Sequence, residues 1–129
     1  WTQEAYVKAS NTESTDLFGS TVQISRHILA VGAVNDDSNA RVLNGNDADN
    51  SSADSGAVYV YLYDSGAWKQ TTYIKSANSD AGDGFGTRMG LSGDALVIAS
   101  ASEDSLATGI NGDATSNAST NSGAVYMFQ

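Results

Sequence analysis

In 129 residues the chain carries no cysteine, no proline, six Lys plus Arg and a formal net charge of −9. That balance argues against nucleic acid and anionic membrane surfaces as partners, and leaves cations, neutral sugars and basic protein patches. Without cysteine there is no disulfide, thiol chemistry or thiolate metal site. A hydrophobic content of 40% suffices for a packed core, and no apolar run approaches a membrane span. The first residue is Trp1 rather than Met, as in a processed chain or an excerpt of a longer one.

Taken in order, Trp1 to Ala9 alternates (Ala5 and Val7 against Tyr6 and Lys8), which predicts a half-exposed strand. Asn11 to Asp16 is polar and turn-forming. Phe18-Gly19 opens a second strand over Ser20 to Ser25, and Ser25-Arg26-His27 must then turn the chain without glycine. Ile28 to Val34 is a continuous apolar run, matching a short buried strand. A long connection, Asn35 to Asp54, leads to Ser55-Gly56-Ala57-Val58-Tyr59-Val60-Tyr61. There Val58, Val60 and Leu62 share one side and Tyr59, Tyr61 and Tyr63 the other, so the strand is expected to be covered on both faces. Asp64-Ser65-Gly66 ends it with turn chemistry.

The pattern then repeats. Shifting the chain by 67 positions aligns its two halves without a gap, with roughly a third of aligned residues identical. Trp1 meets Trp68, Tyr6 meets Tyr73, Lys8 meets Lys75, Asp16-x-Phe18-Gly19 meets Asp83-x-Phe85-Gly86, and Ser55 to Tyr59 meets Ser122 to Tyr126. Two units follow, 1–67 and 68–129, each of four short strands with no helical period.

Phe18-Gly19, Leu29-Ala30-Val31-Gly32-Ala33 and Gly56-Ala57-Val58-Tyr59-Val60-Tyr61 carry a resemblance to the FG-GAP repeat of integrin α-like β-propellers, in its bacterial form. Phe85-Gly86, Leu96-Val97-Ile98-Ala99-Ser100 and Gly123 to Phe128 carry it in the second unit. Val34 and Ala101 stand where the family's proline usually ends the GAP element. The resemblance implies an all-β fold of two four-stranded antiparallel propeller blades. Their ring would be completed by oligomerisation or by further repeats of a longer chain. It also implies an extracellular or cell-surface adhesion or lectin-like module with a protein or carbohydrate ligand. The family's calcium loop lies between the FG and GAP strands; a tight turn takes its place here, so that metal site does not carry over.

A blade buries its faces against neighbouring blades, and closed rings have about four to eight of them. Two blades therefore call for partners, either copies of the chain (a ring of three or four) or adjacent repeats. By the repeat phase, Trp1 to Ala9 is the outer strand of a preceding blade and the second blade's own outer strand is missing. The amino-terminal strand of a neighbouring copy would fill that place and remove a bare edge.

The acidic connection is the place for a cation. Calcium takes six to eight oxygen ligands; Asp36, Asp37, Asp47 and Asp49 could supply several, with Glu103, Asp104 and Asp113 in the second unit. The competing reading is that these Asp, Asn and Ser side chains satisfy the backbone of a long loop. Asp16 and Asp83 read as caps on backbone amides at a strand entrance, and the repeated Trp and Tyr residues as inter-blade packing. His27, the only histidine, falls in a turn that the second unit fills with Asp94, which is poor material for a catalytic base. No enzymatic activity is expected. A binding or adhesion module, a purely structural self-assembling repeat, and an accessory domain of a polysaccharide-processing enzyme are the readings to separate.

Overall fold

The computed structural model describes residues 1–129 and is all-β. β1 (Phe18–Ser25), β2 (Ile28–Ala33), β3 (Ala57–Asp64) and β4 (Ala67–Ile74) form one antiparallel sheet in that order. β5 (Arg88–Ser92), β6 (Ala95–Ser100) and β7 (Ala124–Phe128) form a second, three-stranded sheet. These are propeller-type blades that do not close a ring. β4 lies almost wholly in the second sequence unit yet completes the first sheet, so that blade crosses the repeat boundary.

The turns follow from local chemistry. Arg26 turns the first hairpin with φ +55°, the glycine-free solution, where Gly93 takes φ +63° in the second unit. Ser65 and Gly66, both at positive φ, close β3 onto β4 in the manner of two-residue hairpins.

β3 is buried at Ala57, Val58, Tyr59 and Tyr61, half-buried at Val60 and Leu62, and exposed at Tyr63 and Asp64. Its tyrosine face packs with Ala9, Val31, Ala33 and Tyr73, and Phe18 stands edge-on to Tyr59 and Tyr61. Its valine face packs with Ala30, Ile74, Phe85, Leu96 and Ile98, the core shared by the two sheets. The backbones also join: Phe85 N–H donates to Ser55 O (2.9 Å) and Gly84 N–H to Asp54 O (3.0 Å). That approach requires Gly56, at φ +79°, because a Cβ there would sit 2.3 Å from Phe85 O and 2.4 Å from its N.

Trp1 to Ala9 is not a strand; the expectation fails for want of a neighbour. The matching β4 pairs with β3 along one edge, whereas the amino-terminal segment has no strand beside it and lies irregular and mostly exposed. It is held by Val7 and Ala9 in the tyrosine-face cluster and by the Tyr61 hydroxyl donating to Lys8 O (2.9 Å). Trp1 and Tyr6 are correspondingly exposed, against the packing expected of them, while Tyr73 is buried and Trp68 packs against the core.

Two apolar faces stay wet. Val22 and Ile24 (52% and 62% exposed) lie on the outer side of the first blade, and Val125 and Met127 (65% and 78%) on the far side of the second.

Candidate functional site

At the end of β2 the chain turns, with Asp36 N–H donating to Ala33 O (3.1 Å), and this turn swings the Asp36 carboxylate into the interior. Oδ1 accepts from the Tyr73 hydroxyl (2.8 Å) and Ser38 N–H (3.1 Å), and forms a buried ion pair with Lys75 Nζ (3.4 Å). Oδ2 accepts from Tyr59 (2.9 Å) and Asn11 Nδ2 (3.4 Å). Lys75 also donates to Ser55 Oγ (2.7 Å). Burial lowers the Lys75 pKa, and Asp36 pulls it back up. Both tyrosine hydroxyls are pushed above their ordinary value, first by burial and then by the Asp36 charge, so they serve as fixed donors. Asn44 completes the arrangement on the outer edge of β4. Its N–H donates to Tyr73 O (2.8 Å), while its Oδ1 accepts from Tyr73 N–H (2.8 Å). Asp36 and Asn44 thus grip the fourth strand from inside and outside.

The second unit builds half of this. Glu103, buried in the place of Asp36, accepts from Asn78 Nδ2 (2.7 Å) and Ser105 Oγ (3.0 Å). Tyr126 donates to Asn78 Oδ1 (2.7 Å), and burial pushes its hydroxyl up to about 12. Asn111 repeats the left-handed backbone of Asn44, φ +56° against +53°.

The other acidic residues of the connections hold the loops themselves, most of them through backbone amides. Asp37 Oδ1 accepts from Asp54 N–H (2.8 Å), as Asp104 Oδ1 does from Asn121 N–H (2.6 Å). Asp49 Oδ1 accepts from Asn39 N–H (3.0 Å) and from the Ser51 hydroxyl (2.7 Å) and amide (3.0 Å). Asp113 closes a turn on Thr115, and Asp47 accepts from Ser10 Oγ (2.8 Å). The structure does not bring Asp36, Asp37, Asp47 and Asp49, or Glu103, Asp104 and Asp113, to one point; no three carboxylates converge. What residue spacing could not reveal is that Asp36 faces a lysine and two tyrosines from other elements. The one signal available was that Tyr-x-Lys recurs at 6–8 and 73–75.

Asp83 accepts from Asp80 N–H (2.9 Å), the strand-entrance role expected of it, as Asp16 does from Glu13 N–H (3.3 Å). Burial, reinforced by Asp80, Glu103 and Asp104, pushes the Asp83 carboxyl up to about 6 from an ordinary 3.8. A folded-state value above the unfolded one means the fold favours the protonated acid. The contribution of Asp83 to stability is therefore fully present below about pH 4 and is lost as pH rises through about 6. Asp83→Asn keeps the acceptor without the charge and is expected to gain about 2–3 kcal/mol near pH 7.5. Urea midpoints between pH 4 and 7.5 would check this; an unchanged slope for the variant would refute it.

An FG-GAP repeat model matches residues 1–61. That stretch is the first of the two sequence units, up to the middle of β3. No curated protein and no solved structure matched the chain at a significant level. Within the matched stretch, Phe18 and Gly19 open β1 and Gly56 to Tyr61 lead into and form β3, and β5, β6 and β7 repeat β1, β2 and β3 in the second unit.

Proposed function

We propose that the chain is a non-catalytic propeller-repeat recognition module, acting outside the cell, whose two long connections form a binding rim for a protein or carbohydrate ligand. The observation that carries this reading is that both connections are pre-set by the same lock. Ser52 N–H donates to Asp37 O and Ser119 N–H to Asp104 O, each at 2.8 Å, alongside the matching Asp37–Asp54 and Asp104–Asn121 bonds. A loop already ordered loses little freedom on binding, and loops on a rigid scaffold are where recognition usually sits. Val42, Leu43, Leu106 and Ile110 project from these connections exposed, which supplies apolar contact for a protein surface. The lone histidine sits exposed in the β1–β2 turn, which supports a role without catalysis.

Binding to protein and glycan arrays, with and without chelator, tests the reading. Retained binding to a protein or glycan ligand, lost on Leu43→Asp, is the expected result; silence on both arrays would sink it. Because the Asp37, Asp49 and Asp104 carboxylates already hold backbone amides, calcium at millimolar level is expected to leave the melting temperature unmoved. A rise of several degrees would instead place a cation among these loops.

A second reading, a repeat whose role is assembly itself, is favoured by the wet Val22/Ile24 and Val125/Met127 faces.

A further inference from the structure

The segment joining β4 to β5 touches both long connections at once. Its backbone zips onto the end of the first: Gly82 N–H donates to Ala53 O (2.9 Å), Gly84 N–H to Asp54 O (3.0 Å) and Phe85 N–H to Ser55 O (2.9 Å). Its Asp80 carboxylate reaches both loops farther out. Oδ1 accepts from Arg41 Nη2 of the first connection (2.8 Å), and Oδ2 from Asn117 Nδ2 of the second (2.9 Å). One buried residue holds this turn in shape. Asp83, 3% exposed, accepts from Asp80 N–H through Oδ2 (2.9 Å), and its carbonyl accepts from Ser100 Oγ at the end of β6 (2.7 Å). Most charges that face its carboxyl have its own sign: Asp80 in the same turn, and Glu103 and Asp104 at the start of the second connection. Lys75, just after β4, faces it with the opposite sign but is drawn into the first blade's latch at Asp36 and Ser55. The Tyr126 hydroxyl of β7 faces it uncharged and donates to Asn78. Asp54 of the first connection meets the turn through its carbonyl.

We propose that this turn is a pH-responsive joint for the two connections: with Asp83 protonated it closes on both, and with Asp83 ionised it opens and frees them together. A carboxylate buried among like charges is disfavoured, and here burial and its acidic neighbours push the Asp83 carboxyl up to about 6 from an ordinary 3.8. Closure is therefore tightest in mild acid and weakens as pH rises through about 6. The opening is local, since the strands of each sheet keep their own ladders. Both connections respond because Asp80, which holds Arg41 and Asn117, is carried on the turn that Asp83 fixes. The joint acts on the connections themselves and stands whatever they bind.

Amide hydrogen exchange of the intact chain by NMR, expressed as protection over the intrinsic rate at each pH, is the test. Between about pH 5 and about pH 7.5, protection of the Gly82, Gly84 and Phe85 amides should fall about tenfold, as the gap between about 6 and 3.8 allows over that range. The Asn44 and Ser119 amides, which hold the two connections to Tyr73 O and Asp104 O, should follow, while amides within β2 and β3 should not. Asp83→Asn should keep protection high and level across the range. Asp80→Ala should preserve the response at Gly82, Gly84 and Phe85 and abolish it at Asn44 and Ser119. The unsubstituted chain decides the first arm even where a variant fails to fold. Protection at the turn that is level with pH, or a fall that persists in Asp83→Asn, overturns the proposal. A fall confined to the turn, with Asn44 and Ser119 unmoved, overturns it as well, because the connections would then not answer to the joint.

Discussion

Asp36→Ala is expected to lower stability by about 3–5 kcal/mol, the range for removing one partner of a buried ion pair. The substitution strands Lys75, whose side chain is fully buried and would keep only Ser55 Oγ, 2.7 Å away. It also takes the acceptor from Tyr73, from the Ser38 amide and from one contact of Tyr59. Lys75→Met should cost less, because Asp36 retains the donors of Tyr73, Tyr59, Ser38 and Asn11. Glu103→Ala supplies an internal comparison. Its carboxylate holds only Asn78 and Ser105, and a loss of about 1–3 kcal/mol is expected from those bonds. Urea midpoints for the three variants would rank them. A Glu103→Ala loss equal to that of Asp36→Ala would mean that the lysine and tyrosines add nothing to the first latch.

Phe85→Ala is expected to cost about 3–5 kcal/mol, as for large-to-small changes at fully buried aromatic sites. Phe85 is completely buried and stands edge-on to Tyr126 and Phe128, with ring centroids at 5.3 and 6.5 Å. It fills the space between the valine face of β3 and the second sheet, so the cavity opens where the blades meet. Phe18 has the same sequence context and the same edge-on geometry to Tyr59 and Tyr61, at 5.5 and 6.4 Å. It is only half-buried, because no sheet lies on its outer side. Phe18→Ala should therefore cost about half as much. Equal losses in thermal or urea denaturation would show that the blade–blade contact carries no more energy than the open face.

Much of the fold was legible because a strand's periodicity and turn residues are local properties. The valines and tyrosines of Val58 to Tyr63 alternate, and the strand has a core on each side. Arg26 turns without glycine as its position required. The long connections were legible as acidic but not as to purpose. Asp37 and Asp49 reach amides 17 and 10 residues away, and Asp36 reaches Lys75 across 39. Composition alone cannot distinguish a carboxylate that collects a cation from one that holds its own backbone, since both want oxygen near a positive group.

Trp1 to Ala9 and Trp68 to Ser76 make the general point. From the order of residues alone come the doubled unit, its strands and turns, and the placing of each outer strand in the sheet of the unit before it, because alternation and turn preference act over a few residues. Tertiary structure alone decides which copy becomes a strand, which Tyr-x-Lys is buried, and which of the two Ala-Val-Tyr strands is sealed. Val58 on one face and Tyr59 and Tyr61 on the other are buried, while Val125 and Met127 of the twin strand face water. The sequence is nearly the same in both places; the difference is whether another sheet edge and a buried carboxylate are there to receive it.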